Sequence, residues 1–167
     1  TAGELSNVKH NITATATDPA GNVSIASAAL AVTIDGPVTV TTNADAGADA
    51  TIDGSLAVDT ADGAGLSLRE ALAYVAASGT VDFAVGLSGT TITLGAPLMV
   101  PAGITLNADA LGTATITGNT FTLAGSLNLT NGSGDALTLS SELTGTGALT
   151  KTGVGRLIQT NTNNTTS

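Results

Sequence analysis

Residues 65–94, GLSLREALAYVAASGTVDFAVGLSGTTITL, decide how the rest of the chain is read, because within them the spacing of apolar residues changes from a helical to a strand period. Ser67 is followed three residues later by Glu70, the spacing of a capping box, in which hydroxyl and carboxylate each satisfy a backbone N–H left unpaired where a helix starts. Leu68, Ala71, Leu72 and Val75 then fall on one stripe, with Arg69, Glu70 and Ala73 expected to face away. The pattern predicts a helix over residues 67–77, stopped by Gly79 in a left-handed conformation. Beyond it Val81, Phe83 and Val85 alternate with Asp82 and Ala84, and Ile92 and Leu94 alternate with Thr91 and Thr93. One short helix, the only one the sequence signals clearly, therefore precedes a run of strands.

The string Leu66-Ser67-Leu68-Arg69-Glu70-Ala71 resembles the CSLREA motif, found in bacterial surface and secreted proteins just upstream of a right-handed parallel β-helix, with Leu66 in place of the motif's Cys. That exchange conserves packing, since a free Cys behaves as a small buried hydrophobe. The resemblance implies that the helix covers the open first coil of a solenoid, where an uncapped end would expose apolar side chains and unpaired strand edges. An ordinary amphipathic helix lying on a sheet is the competing reading.

Composition agrees with a thin solenoid. Charged residues make up 10% and aromatics 2%, with 21 Gly and no Trp, so stacked aliphatic ladders rather than large rings must fill the core. Thirteen Asp plus Glu against four Lys plus Arg give a net charge of −9, which leaves no basic footprint for nucleic acid and disfavours an anionic membrane surface. No apolar run reaches the roughly 18 residues of a membrane span, and no signal-peptide pattern is present. The absence of Cys excludes disulfides, Cys-ligated zinc and thiol catalysis. The chain opens at Thr1 in mid-pattern, so we expect a piece of something longer.

Residues 1–36 read as a hairpin. Val8 to Thr17 and Val23 to Ile34 alternate around a turn at Asp18-Pro19-Ala20-Gly21-Asn22. This stretch resembles the closing strands of the bacterial Ig-like repeats that recur along large adhesins. Such a sandwich needs about seven strands, and two or three are present, so the hairpin is expected either to be cut from such a module and docked in cis or to pair in trans by strand addition. His10, the sole His, is read as a structural residue of this hairpin.

Asp35-Gly36-Pro37 joins this part to the next, which runs over 37–167 and opens with a strand at Val38 to Thr42. Asn43 to Gly65 carries five acidic residues, Asp45, Asp49, Asp53, Asp59 and Asp62, in a Gly/Ala-rich loop with a short strand expected at Leu56 to Val58. Clustered carboxylates of this kind are weak candidates for calcium, but the spacing fits neither an EF-hand nor a nonapeptide repeat, and a solvated acidic loop is the preferred reading.

From Gly79 onward strands centred on Ile92, Ile104, Ile116, Leu129, Leu139, Leu149 and Leu157 recur every 8 to 13 residues, with Phe121-Thr122-Leu123 squeezed between two of them. Two strands per coil would give coils of ~20–24 residues, although a β-sandwich has similar spacing. The stretch Gly145 to Ile158 resembles the autotransporter-associated β-strand repeat, G-x-L-x-K-x-G-x-G-x-L, matched by Gly147, Leu149, Lys151, Gly153, Gly155 and Leu157. That repeat belongs to passenger β-helices, with Gly at tight corners and Leu in the core.

Chemistry is sparse. Neither a phosphate loop, a dinucleotide fingerprint nor a nucleophile elbow occurs. Some β-helices cleave polysaccharides with converging carboxylates. Candidates here are Asp82, Asp109, Asp135 and Glu142 with Lys151 and Arg156, while Tyr74, Phe83 and Phe121 are expected in the core. The Thr-x-Thr runs at residues 13–17, 91–93 and 113–117 suit exposed strand faces.

The sequence thus predicts an all-β protein: a right-handed parallel β-helix behind one short capping helix, preceded by a partial Ig-like hairpin. Ser67, Arg69, Glu70, Gly147, Lys151, Gly153 and Gly155 are its expected structural residues, and no catalytic or cofactor-binding residue is assigned. The expected role is that of a non-enzymatic extracellular segment of a bacterial surface protein, a stiff stalk that contacts a host or cell-surface ligand or neighbouring copies of itself. The alternatives are a self-associating fibre subunit built by strand complementation, and a carbohydrate-active β-helix.

Overall fold

The computed structural model describes residues 9–33 and 36–166. Val8, Ile34 and Asp35, used in the sequence reading, lie outside them. The chain divides into two compact units, residues 1–36 and 37–167.

In the first unit β1 (Lys9–Ile12) pairs antiparallel with β2 (Leu30–Thr33). Lys9 stands opposite Thr33 and Thr17 opposite Val23, so the eleven residues Val23–Thr33 match the nine residues Lys9–Thr17. Two serines absorb the excess. Ser27 donates its N–H to the Ala14 carbonyl and accepts the Ala14 N–H on its hydroxyl, and Ser24 does the same with Ala16. Each hydroxyl replaces a carbonyl that the bulged backbone turns away. The turn is closed by Asp18, whose carboxylate accepts from Asn22 Nδ2 and from the Ala20 and Asn22 N–H groups. His10 sits in β1 opposite Val32.

The second unit is a parallel β-helix. Its strands are β3 (Val38–Val40), β4 (Thr80–Phe83), β5 (Thr91–Leu94), β6 (Leu98–Val100), β7 (Thr105–Asn107), β8 (Thr113–Gly118), β9 (Phe121–Leu123), β10 (Leu127–Thr130), β11 (Ala136–Leu139), β12 (Leu143–Gly145), β13 (Leu149–Thr152), β14 (Arg156–Gln159) and β15 (Thr165–Thr166). Three parallel sheets result, ordered β3-β4-β7-β10-β13, β5-β8-β11-β14 and β6-β9-β12-β15. From β4 onward each strand pairs with the one three later, so a coil has three strands rather than the expected two. The additional strand in each coil, β6, β9 or β12, has three residues, and of these the sequence reading picked out only β9, as Phe121-Thr122-Leu123.

Coil length falls from 25 residues between the paired Thr80 and Thr105 to 20 between Ala136 and Arg156. The shortening occurs mostly at the corner between the first two sheets. There, 3₁₀ turns at Val85–Leu87 and Asp109–Leu111 in the early coils give way to Gly153-Val154-Gly155 in the last. Val85, expected to continue the strand, belongs to the first of these turns and is exposed.

Register stacks the core into ladders: Val81–Leu106–Leu129, Ile92–Ile116–Leu139 and Leu98–Phe121–Leu143, all buried. The threonines of the two Thr-x-Thr runs in the solenoid alternate outward, Thr91 pairing with Thr115 and Thr93 with Thr117, whereas the run at residues 13–17 is exposed throughout. At the corner leading into the first sheet the coils approach so closely that a Cβ on Gly147 would run into the Gly125 carbonyl. Gly153 has φ +74, and a Cβ there would strike the Asn131 carbonyl. The glycines of the repeat-like stretch are therefore required by neighbouring backbone as well as by local conformation.

Two helices lie ahead of the first full coil, not one. Leu56–Ala61 forms α1, where a strand was expected, because the Ser55 hydroxyl accepts the Val58 N–H and starts a helix. Leu68–Tyr74 forms α2, which ends at Val75 in an extended conformation. Gly79 is not left-handed; Ser78 takes that role at φ 61. Gly79 serves close approach instead, since a Cβ there would lie 2.9 Å from the Ala76 carbonyl oxygen. Leu66, Leu68, Ala71 and Leu72 join the core beside Val38 and Val40, and the Leu66 carbonyl accepts the Thr41 and Thr42 N–H groups. The segment covers the first strand as expected of a cap.

Leu106→Ala, in the middle of a ladder and 1% exposed, should lower stability by about 3 kcal/mol in equilibrium urea unfolding. In the hairpin, hydrogen bonds from the Asn22 side chain and from backbone N–H groups hold the Asp18 pKa below its ordinary value. The stability this carboxylate adds should be complete above the unfolded value of about 3.9 and vanish as pH falls through the lower folded value. Amide shifts of Ala20 and Asn22 followed down a pH series should therefore hold steady to about pH 4 and move only below it.

Candidate metal centre in the cap

The polar chemistry of the second unit is concentrated in the segment between β3 and β4. The capping box forms as the spacing predicts: the Ser67 hydroxyl accepts the Glu70 N–H at 3.2 Å, and Glu70 Oε2 accepts the Ser67 N–H at 2.8 Å. Glu70 does not face solvent. Both residues are fully buried, and Glu70 Oε1 is left without a hydrogen-bond partner. Burial raises the Glu70 pKa against the lowering effect of its Ser67 hydrogen bonds, and the charges of Asp59 and Asp62 raise it further.

Arg69 clamps the cap to the solenoid. Nε and Nη2 bind the two Asp45 carboxylate oxygens, each at 2.7 Å, while Nη1 and Nη2 donate to the Pro97 and Ala96 carbonyls at the corner between β5 and β6. Asp45 Oδ2 also accepts the Gly95 N–H. The guanidinium pKa is raised by its hydrogen bonds to Asp45, against the opposing effect of burial. Asp45 is therefore occupied by a protein cation and drops out of the calcium candidates.

The loop is not a solvated acidic stretch, because Asp45, Asp49 and Asp59 are all buried. Asp49 Oδ1 accepts the Ala64 N–H, with its carboxylate against Gly63, where a Cβ would come within 2.7 Å. Asp53, Asp59 and Asp62 converge, each with one carboxylate oxygen within 4.8 Å of the others. Helix α1 arranges this: Asp59 lies inside it, Asp62 caps its C-terminus, and Asp53 in the preceding turn donates its N–H to Asp59 Oδ1 at 2.9 Å. Asp59 Oδ2 and Asp62 Oδ1 are buried without hydrogen-bond partners. Asp62 is pushed to a raised pKa by burial first and then by the charges of Asp53, Asp59 and Asp49.

Tyr74 belongs to this cluster rather than to the apolar core. It stands one helical turn beyond Glu70, and its buried hydroxyl has no well-formed partner. Its pKa is raised by burial and by the neighbouring Asp59. Sequence reasoning placed Asp53, Asp59 and Asp62 among the candidates but missed Glu70 and Tyr74. The available signal was their i, i+4 spacing on α2, one turn apart on the same helix face.

The other residues singled out are scattered through the coils. Lys151 donates to the Thr152 and Gly153 carbonyls. Gly155 is held by close approach to Gly132 and Asn131. Asp109 and Asp135 flank Gly132, and Asp135 accepts the Gly132 N–H. Asp82 stands in β4 opposite Asn107, Glu142 lies between β11 and β12, and Arg156 opens β14.

Comparison of the chain with protein-family models, with characterised proteins and with solved structures finds no match.

Arg69→Ala should cost about 3 kcal/mol in urea unfolding, because it strands a carboxylate whose side chain is 2% exposed and releases two corner carbonyls. Arg69→Lys should recover only part of this, since an ammonium cannot span the carboxylate and both carbonyls in one plane.

Proposed function

We propose that the chain is a non-enzymatic segment of a bacterial surface or secreted protein, serving outside the cell as a stiff spacer and contact surface. The observation that carries this reading is the stack of three parallel sheets, whose hydrogen bonds run along the axis from coil to coil while aliphatic ladders fill the interior. A rod of this kind resists bending, and its outward faces present rows of Thr and Asn such as Thr80–Thr105–Asn128–Thr150 and Thr122–Thr144–Thr165. Such faces suit a broad polar contact with a host or cell-surface ligand.

The motif resemblances support the same reading. The LSLREA residues make the cap, and the stretch similar to the autotransporter-associated repeat forms a strand, a tight Gly-rich turn and a strand within one coil. The charge of −9 disfavours nucleic acid as a partner.

One observation favours the fibre alternative. The hairpin exposes Ile12 and Leu30 on its two-stranded sheet and Val23 and, at 93%, Ile25 on the returning segment ahead of β2, and apolar edges of that kind can be completed by pairing with another chain.

Light scattering over a concentration series separates these readings: a constant mass of 16.0 kDa supports the spacer, and growth into long assemblies supports the fibre. Beads coated with the folded chain should be retained on cell surfaces more than beads coated with heat-unfolded chain. Release of sugar ends from a panel of polysaccharides, lost in Asp109→Asn or Asp135→Asn, would overturn both readings in favour of a carbohydrate-active enzyme.

A further inference from the structure

We propose that Asp53, Asp59 and Asp62, with the Glu70 carboxylate behind them, bind a calcium ion that fastens α1 to α2 over the first coil. This inference is independent of what the outer faces of the solenoid contact.

Three observations carry it. The first is geometric: three carboxylate oxygens no more than 4.8 Å apart fit around one ion at the ~2.4 Å typical of Ca²⁺–oxygen bonds. The second is the orphaned oxygens. Asp59 and Glu70 are fully buried, yet Asp59 Oδ2 and Glu70 Oε1 lack partners of good geometry, as does Asp62 Oδ1, and the Tyr74 hydroxyl beside Asp59 makes no well-formed hydrogen bond. Leaving a single buried carboxylate oxygen unsatisfied is costly, and several in one place call for a shared partner. Glu70 and Tyr74 belong to α2, Asp59 and Asp62 to α1 and its cap, the two helices are in contact, and the charges of Asp59 and Asp62 act on Glu70, so the orphaned groups lie on either side of that junction.

The third is charge. Among the described residues no Lys or Arg ion pair reaches these carboxylates: Arg69 is committed to Asp45, and the Lys151 ammonium to the Thr152 and Gly153 carbonyls. A proton shared between two carboxylates would satisfy one or two of the oxygens, whereas a divalent cation can satisfy them together. The donor set chooses the ion. It contains only oxygen, which disfavours zinc and copper, and an irregular set of carboxylates suits the flexible coordination of calcium better than the near-ideal octahedron of magnesium.

The chain provides its own reporter, since Tyr74 is the sole tyrosine and there is no tryptophan. Tb³⁺ is the probe, because it takes the place of Ca²⁺ and emits when a nearby excited tyrosine transfers energy to it. With the full chain, tyrosine-excited Tb³⁺ emission should saturate at one ion and be displaced by Ca²⁺ at roughly 10⁻⁴–10⁻³ M, the range of extracellular calcium modules, but not by Mg²⁺ at the same concentration. Asp59→Asn should weaken Ca²⁺ displacement at least tenfold, as should Glu70→Gln, which keeps an acceptor for the Ser67 N–H. Asp109→Asn should change nothing.

Unfolding followed by circular dichroism gives a second readout: Ca²⁺ should raise the midpoint of the parent chain relative to chelator, and neither cap variant should respond. Absence of sensitised emission, emission that Ca²⁺ does not displace, or a parent-like calcium response in both cap variants would each overturn the proposal.

Discussion

A stack of parallel strands is held together along its axis by backbone hydrogen bonds, so its first coil presents unpaired groups and an open aliphatic core. One guanidinium ties the covering segment in place here. Arg69 joins the cap to the corner between β5 and β6 through two carbonyls, and through Asp45 it reaches the Gly95 N–H at the same corner. The arrangement depends on α2 starting where it does. Shift the Ser67–Glu70 capping box by one residue and Arg69 turns about 100° round the helix, away from the corner. Thus a local helix start sets the position of the group that ties the cap to the solenoid.

The cap helix and the coil length were legible in the sequence because each rests on local pattern. Ser67 and Glu70 carry their spacing openly, and the apolar alternation of Ile92–Leu94 or Leu137–Leu139 needs no partner to be recognised. What escaped was structure too short to have a period. The strand Leu98–Val100 has three residues and α1 has six, and neither length distinguishes helix from strand by alternation. Buried Glu70 escaped for another reason. A capping box predicts where one of its oxygens goes, and only the placement of α1 against α2 determines the surroundings of the other.

The acidic loop shows the same limit in its electrostatics. Five aspartates in a Gly/Ala-rich stretch read as solvated because nothing in the sequence pairs them. The structure divides them by partner: Asp45 takes Arg69, Asp49 takes the Ala64 N–H against Gly63, and Asp53, Asp59 and Asp62 face one another. Each assignment comes from a contact 6 to 24 residues away in sequence or from the burial it produces. Composition could announce the charge but not its distribution.

The two ends of the described solenoid handle polarity in different ways. At the first coil, charged groups are buried and matched, as with Arg69 and Asp45, or gathered around one point, as with Asp53, Asp59 and Asp62. Toward the last coil three of the aliphatic ladders give way in register, Leu129 being followed by Lys151, Leu139 by Gln159 and Leu123 by Gly145, while Leu127–Leu149 and Leu137–Leu157 continue. Lys151 folds its ammonium back onto the Thr152 and Gly153 carbonyls, so an inward ladder position ends in a charge that satisfies its own strand and turn. The cap, by contrast, continues the core through Leu66, Leu68, Ala71 and Leu72 before its charges begin. The burial of charge at the first end is therefore tied to closing the core, and the cap's fit depends on how completely those charges are matched.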